Sequence, residues 1–462
     1  MDQQLGVLIK GGVVVTPAGL RHSDLEVRGE TIAALECDID PRPGQRVFDA
    51  SGKYVLPGVV DVHTHPVYVD DLGGISLTAA CGGVTTMIHY AYAKPGMALV
   101  ETVRRFRDEA LEKSLLDFGL HGGLFDVERQ IGEVAAAFRE GVTSFKVFMT
   151  YAKLRWMTDD YWLTALLDVV GRERGLVAVH AENGLATDYL EDKFLREGQS
   201  PVATFTRMRP DVLEAEAVNR AVALATVMGC ALYVPHVSAA ACLEPLRRAR
   251  AAGLPVHGET CPQYLTLTDA VTQSKGPLAK IGPPLRSPDD TENLWRALAD
   301  GTLSTIASDH APKPKRLDDD FFQAPYGSPQ IETMLAVTYH RGVNGGRLTL
   351  PRLVRALSEM PARLFGLYPR KGALQVGSDA DLVVFDPTRT VKLSSSTQHS
   401  AAGYSLYEGL EVTGAPVMTM QRGRVIVDDN VVVASPGSAR FLSTDTSGWY
   451  RADARASAAA VV

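Results

Sequence analysis

The feature that most constrains the fold is a long alternation of apolar, β-rich runs with helical patterns between residues 59 and 367. Such an alternation predicts strands joined by crossover helices. The predicted strands are Val59–Val62, Thr85–Ile88, Asp117–Leu120, Ser144–Phe148, Leu176–Val179, Leu232–Pro235, Pro255–Val256 and Ser304–Ala307. Eight strands, mostly each followed by a helix, favour an α/β fold of the (β/α)8 TIM-like barrel type, with an open doubly wound sheet as the alternative.

Short β-like segments lie at both ends of the chain, where Gly and Pro mark the turns. Those at the N-terminal end leave no room for helices and predict a small antiparallel sheet. Because the two ends look alike, we predict a small β-sandwich domain built from residues 1–56 and 370–442, with the barrel at 57–369. The Ser-, Thr-, Ala- and Asp-rich tail, residues 443–462, is predicted to fray or to lie on another subunit.

Composition and charge exclude several classes of protein. The formal net charge of −7 argues against a nucleic-acid partner. No apolar run is long enough to span a bilayer, and the N-terminus lacks a signal-peptide layout, so no membrane association is expected. The five cysteines are scattered and odd in number, as expected of reduced thiols in a cytoplasmic protein.

Metal-ligand residue types stand at the ends of several predicted strands. His63 and His65 are spaced i, i+2, which places both side chains on one face of a strand, although such a pair alone is equally typical of surface histidines. His180, His236 and Asp309 follow three later strands. In a barrel these positions share one rim, where barrel active sites lie, and the combination is far more specific than any single member.

Lys146 lies inside the apolar strand Ser144–Phe148. A charged, unpaired amine there would cost several kcal/mol, roughly as for other buried charges. The lysine can avoid this cost through a lowered pKa, or by extending its tip to the surface with a buried stem. A third route is reaction with carbon dioxide, which gives a carbamate able to bridge two metal ions. The surrounding histidines favour the third route over the extended tip.

The chain resembles the D-hydantoinase/dihydropyrimidinase family of cyclic amidohydrolases. The resemblance runs from about Leu8 to Leu442, and its motifs are specific in combination. The matching motifs are Gly52–Gly58 leading to His63-Thr64-His65, Gly141–Met149, His180–Asn183, Gly258–Leu265, Pro283–Arg286, Asp309–Pro312, Lys371-Gly372 and Gly377–Asp381.

The resemblance implies a set of metal ligands. His63, His65 and Asp309 would hold the more buried of two divalent ions, and His180 and His236 the more exposed one. Lys146 would bridge both ions as N6-carboxylysine, a carbamate derived from CO2. In this family the metal is usually zinc and sometimes manganese.

The same resemblance implies the reaction. A metal-bound hydroxide attacks a ring amide carbonyl, and Asp309 passes the hydroxide proton to the leaving nitrogen. Tyr151 would donate to the developing oxyanion, although outside this motif it is more typical of a packing aromatic. The expected substrates are small cyclic amides, hydantoins or dihydropyrimidines, opened to N-carbamoyl amino acids by a homodimer or homotetramer.

Several positions depart from the family pattern. Gly282 and Tyr326 map to two loops whose main-chain groups hold the substrate's amide edge, where the family commonly has Ser and Asn. The loop Pro66–Leu72 also differs and is expected to influence substrate choice. Trp156 is predicted to line the pocket for the ring substituent, favouring a bulky or aromatic group; ordinary loop packing is the alternative.

Three other functions fit parts of the pattern. One is an allantoinase or other cyclic ureide or imide hydrolase. Another is a non-catalytic dihydropyrimidinase-like scaffold protein, but such proteins lose metal ligands, and this chain has residues of the right type at all six positions. The third is a mononuclear deaminase on the same fold, which would have no need for Lys146.

Overall fold

The first strands of the computed structural model, which describes residues 6–450, belong to two sheets. They are β1 (Val7–Lys10), β2 (Val13–Thr16), β3 (Gly19–His22), β4 (Asp24–Arg28), β5 (Thr31–Glu36), β6 (Arg46–Asp49) and β7 (Tyr54–Pro57). One sheet has the order β5-β4-β1-β6, in which β1 is antiparallel to β4 but parallel to β6. The prediction of a single antiparallel sheet is therefore wrong, because residues 37–45 carry the chain from one edge of this sheet to the other.

Eight parallel strands follow in chain order around a barrel. They are β8 (Val59–Thr64), β9 (Val84–Ala93), β10 (Asp117–Leu124), β11 (Ser144–Phe148), β12 (Leu176–His180), β13 (Ala231–Val234), β14 (Val256–Thr260) and β15 (Leu303–Ile306). The chain after β15 returns to β8, where His65 N donates to His310 O at 3.1 Å. This sequential order confirms the barrel and rules out the doubly wound sheet, whose strand order reverses.

Helices connect the barrel strands and cover the outside. They are α1 (Leu72–Cys81), α2 (Leu99–Lys113), α3 (Val127–Gln130), α4 (Val134–Arg139), α5 (Asp160–Arg172), α6 (Gly184–Arg196), α7 (Pro201–Met208), α8 (Asp211–Met228), α9 (Leu243–Ala251), α10 (Pro262–Thr266), α11 (Asp269–Lys275), α12 (Pro288–Asp300), α13 (Met334–Thr338), α14 (Leu350–Val354) and α15 (Met360–Leu364). Two π-helical segments, Tyr339–Asn344 and Arg355–Glu359, precede α14 and α15. Short 3₁₀ helices occupy Ile131–Glu133, Ala152–Leu154, Ala240–Cys242, Gly276–Ala279 and Ser447–Tyr450. No helix between residues 6 and 450 combines the length and apolarity needed to cross a membrane.

The second sheet joins the two ends of the chain. Its C-terminal strands are β16 (Leu382–Lys392), β17 (Glu411–Gln421), β18 (Arg424–Asp428) and β19 (Val431–Val432). The order β19-β18-β17-β16-β7-β2-β3 places β16 beside β7, so both termini contribute to one sheet. Apolar side chains of the two non-barrel sheets, among them Ile9, Leu25, Leu382 and Met420, form a shared buried cluster, as expected of a small sandwich.

Residues 441–450 cover the N-terminal face of the barrel. Leu442 N donates to Phe118 O at 2.7 Å, and Thr444 N donates to Gly141 O at 3.0 Å. Leu442 and Tyr450 are buried with Val60, Val62 and other residues of the barrel strands. Residues 443–450, the described part of the predicted tail, are therefore packed on their own chain rather than frayed or laid on another subunit, since Thr444 and Tyr450 contact the barrel. Residues 451–462 lie outside the described residues.

Candidate active site

Every metal-ligand residue predicted from the sequence lines one cavity at the C-terminal face of the barrel. The cavity has a volume of about 390 Å³. The six are His63, His65, Lys146, His180, His236 and Asp309. His63 is in β8, Lys146 in β11 and His180 at the end of β12, while the other three follow strand ends within three residues. Parallel strands thus deliver residues that are distant in sequence to one rim.

His63, His65 and Asp309 form the tightest group. Their ligand atoms all lie within 4.8 Å of one another. Asp309 Oδ1 is 3.1 Å from His63 Nε2 and 3.0 Å from His65 Nε2. Burial opposes ionisation of Asp309, but the two histidines hold its pKa well below the usual value. Two imidazole nitrogens and a carboxylate that converge in this way fit a divalent metal ion.

Glu259 contacts two of the predicted ligand histidines, His63 and His236. Its Oε1 is 2.6 Å from His63 Nδ1 and accepts a hydrogen bond from His236 N at 3.0 Å. Burial opposes protonation of His63, yet Glu259 and Asp309 raise its pKa to about 9. Tyr92 Oη hydrogen-bonds His65 Nδ1. The Nδ1 contacts of His63 and His65 leave Nε2 of each imidazole facing the cavity, an arrangement that typically fixes a metal-binding histidine.

A buried ion pair orients His180. Glu182 Oε2 lies 2.7 Å from His180 Nε2, which leaves Nδ1 as the ring nitrogen available to a ligand. Arg209, directly after α7, donates to Glu182 through Nε at 3.0 Å and Nη2 at 2.6 Å. Burial lowers the pKa of His180 to about 4, so the ring is neutral and able to donate a lone pair at neutral pH. The His236 ring lies 4.4 Å from the His180 ring, centroid to centroid.

Lys146 is buried without a polar partner. Its side chain is 1 % exposed, and its Nζ is buried and has no hydrogen bond to any residue in 6–450. The rings of Tyr90 and Phe148 lie 5.5 and 5.4 Å from Nζ. Burial lowers the pKa of this amine to about 8. An extended tip at the surface is excluded, whereas a neutral amine and a carbamate both fit, and an orphaned amine among four histidines is what a bridging carbamate would resolve.

Tyr151, Gly282, Tyr326 and Trp156, the predicted substrate contacts, also line the cavity. A Cβ atom on Gly282 would lie 2.9 Å from Tyr151 Oη and 3.2 Å from Tyr326 Cδ1. The two differences from the family pattern, Gly at 282 and Tyr at 326, are therefore coupled, since a Ser at 282 would have to displace one of these rings. Burial raises the pKa of Tyr151 well above 10, which keeps its hydroxyl protonated as a donor.

Backbone strain is concentrated at this site. Tyr151, His236 and Asp309 adopt positive φ angles of 64°, 45° and 50°. Each such conformation costs a non-glycine residue about 1–3 kcal/mol and is held by surrounding contacts. Side-chain direction at these three positions is thus set against local preference, as is common in functional sites.

Three other buried histidines of the barrel, His89, His121 and His310, have partners within the protein. His89 Nδ1 is 2.7 Å from Thr64 Oγ1, and His121 contacts Ser144 Oγ and Val62 O. His310 Nε2 lies 2.9 Å from Asp70 Oδ2, which ties the loop after His65 to the rim.

Sequence reasoning missed Glu259, Arg209, Tyr92 and two lysines of the cavity, Lys280 and Lys313. Glu259 lies in a motif that was recognised but received no role, because its strand was predicted to end at Val256 rather than Thr260. The available signal was Glu259 itself, a carboxylate close to the end of a strand that continues past Val256 to Thr260. Arg209 carried no signal, since nothing in its neighbourhood indicates that it pairs with Glu182.

Comparisons with known proteins identify the family of this chain. The model of the Amidohydrolase family matches residues 54–426. A D-hydantoinase from Rhizobium radiobacter is 38% identical over 453 residues, covering 95% of this chain and 98% of its own, and an L-hydantoinase from Paenarthrobacter aurescens is 34% identical with the same coverage. The crystal structure of dihydropyrimidinase from Brevibacillus agri superposes with a TM-score of 0.90 at 34% identity, covering 96% of this chain and 99% of that one. The chain belongs to the amidohydrolase family of metal-dependent hydrolases, in its D-hydantoinase/dihydropyrimidinase branch.

Proposed function

We propose that this protein is a binuclear metal-dependent hydrolase that opens the cyclic amide of hydantoins or dihydropyrimidines and releases N-carbamoyl amino acids. The observation that carries the proposal is the convergence of four histidines, Asp309 and an unpartnered buried lysine on one cavity. The relatives named hydantoinase and dihydropyrimidinase support the choice of ring. In the reaction a ring C–N bond breaks, the carbonyl carbon gains the hydroxyl of water and the nitrogen gains its proton.

The proposed metal centre consists of six side chains. His63, His65 and Asp309 would hold one ion, His180 and His236 the second, and the carbamate of Lys146 would join both. Zinc suits imidazole and carboxylate ligands, and manganese is the alternative. When bound, two such ions supply Lewis acidity and a hydroxide at neutral pH. The neutral fraction of the Lys146 amine is the form that reacts with CO2, and the carbamate supplies two oxygen ligands in place of an uncompensated amine.

Asp309 and Tyr151 would handle the proton and the developing charge. Asp309 is ionised, so it can accept the proton of the attacking water and pass it to the ring nitrogen. The Tyr151 hydroxyl lies beside Gly282, where a donor can stabilise the oxyanion, a contribution of about 3 kcal/mol in comparable sites. Main-chain groups of Gly282 and Tyr326 would hold the amide edge of the ring.

An aromatic wall, made of Phe125, Phe148 and Trp156, would contact the ring substituent. The Phe125 and Trp156 rings meet edge to face with centroids 5.0 Å apart. We expect Trp156→Ala to lower kcat/KM for 5-phenylhydantoin about tenfold, as expected for the loss of a large aromatic contact, while unsubstituted hydantoin changes little. Equal changes for both substrates would contradict this role of Trp156.

The decisive experiment assays purified protein, with its metal content measured, on dihydrouracil, hydantoin, 5-phenylhydantoin and allantoin. Turnover of one of the first three with about two metal ions per chain is the expected result. Full metal occupancy without turnover of any ring would refute the proposal, and turnover of allantoin alone would establish a ureide hydrolase. Both D- and L-hydantoinases are among the relatives, so each enantiomer of 5-phenylhydantoin is assayed separately.

The expected partner is a small molecule rather than nucleic acid or membrane. We further propose a cytoplasmic homodimer or homotetramer. Light scattering of the purified protein measures the subunit number directly, and a monomer at micromolar concentration would contradict this assembly.

A further inference from the structure

Two lysines that line the active-site cavity bring positive charge that the proposed chemistry does not use. We call Lys280 and Lys313 the cationic wall. Among the described residues, and apart from these two lysines and the histidines, the charged residues that line the cavity are Lys146 and Asp309, both assigned to the proposed metal centre. Lys280 stands two residues before Gly282, and Lys313 stands four residues after Asp309. The same loops that would hold the amide edge and the metal therefore carry both amines.

The Lys313 ammonium has no anionic or hydrogen-bonding partner among residues 6–450. Its half-buried side chain lies against Tyr68, with Nζ 4.2 Å from the ring centroid. Burial lowers its pKa to about 8, and Asp309 acts on it only at a distance. Tyr68 belongs to the loop Pro66–Leu72 that departs from the family pattern. Lys313 is therefore held over an aromatic face at the edge of the cavity with its ammonium donors free.

Lys280 is similarly short of partners. It is 5 % exposed, and its Nζ donates to Phe322 O at 2.9 Å. The Tyr326 ring lies 4.7 Å from Nζ. Glu191 and Asp320 influence it electrostatically, but no carboxylate of the described chain lies within 4.0 Å of Nζ. An ammonium has three donors, so two remain for a ligand.

Neighbouring cations differ from the cationic wall because they are satisfied by the protein. Lys315 donates to Leu278 O and Lys280 O at 3.1 and 3.0 Å and does not line the cavity. Arg209 is paired with Glu182 through two hydrogen bonds. A buried cation without a counter-charge is costly, so the two amines that do face the cavity fit an anion that arrives from the cavity.

We propose that the preferred ring substrate carries an acidic substituent, a carboxylate on a short chain, which the cationic wall binds. This inference rests on the proposed function and specifies the substrate class of the same site. Ring opening proceeds as for any substrate of this type, by addition of water across the C–N bond, and the substituent carboxylate is unchanged. The product is an N-carbamoyl amino acid with two carboxylates.

The test compares two hydantoins of nearly equal size and shape, 5-(2-carboxyethyl)hydantoin and 5-(2-carbamoylethyl)hydantoin. Because the two compounds differ in charge but hardly in size, the aromatic wall should contribute equally to the binding of both. We expect kcat/KM of the wild type to favour the acid by about tenfold, in keeping with a charge-assisted hydrogen bond. The preference should decrease as salt is raised, because the cavity is open to solvent.

Lys313→Met is the primary variant, since Lys313 Nζ makes no hydrogen bond within residues 6–450 and its loss leaves no group unpaired. The preference for the acid should disappear while kcat/KM for the amide stays within about threefold. Lys313→Arg should retain the preference. Lys280→Met should reduce it as well, and Lys153→Met, which removes a surface charge outside the cavity, should leave it unchanged.

The outcomes separate this inference from the proposed function. If neutral hydantoin is opened but the acid is not preferred, or if Lys313→Met leaves the preference intact, the cationic wall is refuted while the hydrolase remains. If no ring is opened by fully metallated protein, the proposed function itself fails.

Discussion

Lys146 and Lys371 are both buried lysines, and they differ in every other respect. Lys371 lies between the barrel and the second sheet, with Nζ 2.7 Å from Asp117, 3.0 Å from Asp379 and 2.8 Å from Asp381. Lys146 at the opposite face has no polar partner among the described residues. Burial opposes the charge of both amines, but the three carboxylates raise the pKa of Lys371 above its ordinary value, whereas that of Lys146 falls to about 8.

One residue type thus occurs in two different electrostatic settings in this protein. Three carboxylates keep Lys371 as a permanent cation that ties the barrel strand β10 to the segment before β16. Lys146 lacks such partners among the described residues, and burial lowers its pKa to about 8, as the proposed reaction with CO2 requires. Burial is the same in the two places, so the local partners decide how firmly a buried lysine keeps its proton.

Substitution of Lys146 should have the strongest effect on activity. Lys146→Ala should lower kcat/KM by about 10³-fold or more, because the proposed bridge between the metal ions is lost. The variant should fold normally and bind fewer than two metal ions, as measured by elemental analysis. Two bound ions together with full activity would exclude the bridging carbamate.

At the structural lysine we expect loss of stability instead. Lys371→Met should lower the free energy of unfolding by about 3–5 kcal/mol, because buried carboxylates lose their counter-charge. Urea unfolding of metal-free protein measures this change, with Lys146→Met as the matched control. Equal stability of the two methionine variants would contradict the structural role of Lys371.

Glu182 provides an intermediate case, an ion pair of structural type inside the reactive site. Glu182→Gln should weaken metal binding or activity about 10–100-fold, because His180 loses its orienting carboxylate and Arg209 its partner. Calorimetric titration of metal into the metal-free protein measures the change in metal affinity. An unchanged metal affinity with unchanged activity would show that His180 is positioned without Glu182.

The smallest effect concerns pH. The folded pKa of Lys146 is about 8, below its ordinary value of 10.5, so in metal-free protein the unfolded state binds more protons between these values. Stability should therefore rise with pH across that window through Lys146. The raised pKa of Lys371 gives the opposite sign, since its contribution is fully present below 10.5 and is lost only as pH rises towards the folded pKa. The stability difference between the wild type and Lys146→Met should shrink from pH 8 to 10, and a constant difference would contradict the lowered pKa.

The barrel was predictable because each of its strands carries its own signal. A buried parallel strand reads as an apolar run, and the polar residue that ends it marks the rim, as His63 and His180 do. Strand pairing at the chain ends gave no such signal. The parallel partner of β1 and the strand β3 depend on contacts between distant segments, and the covering of the barrel by residues 441–450 depends on apolar groups too sparse to form a pattern.

The site divides in the same way. Residues that point into the cavity from strand ends could be predicted from position and chemistry. Residues that support them could not, because Glu259 is 196 positions from His63 and Arg209 is 27 positions from Glu182. Such supporting contacts are specified by packing of the folded chain, and one-dimensional spacing carries no record of them.

The covering of the barrel by residues 441–450 also sets the order in which the molecule can be made. During synthesis the barrel strands leave the ribosome well before Leu442 and Tyr450, whose side chains fill the N-terminal end of the barrel interior. Strand β7 likewise cannot pair with β16 until more than 300 further residues have been synthesised. The nascent barrel therefore stays open at one end until residues 441–450 have been synthesised, and its exposed apolar interior is a candidate site for chaperone binding until then.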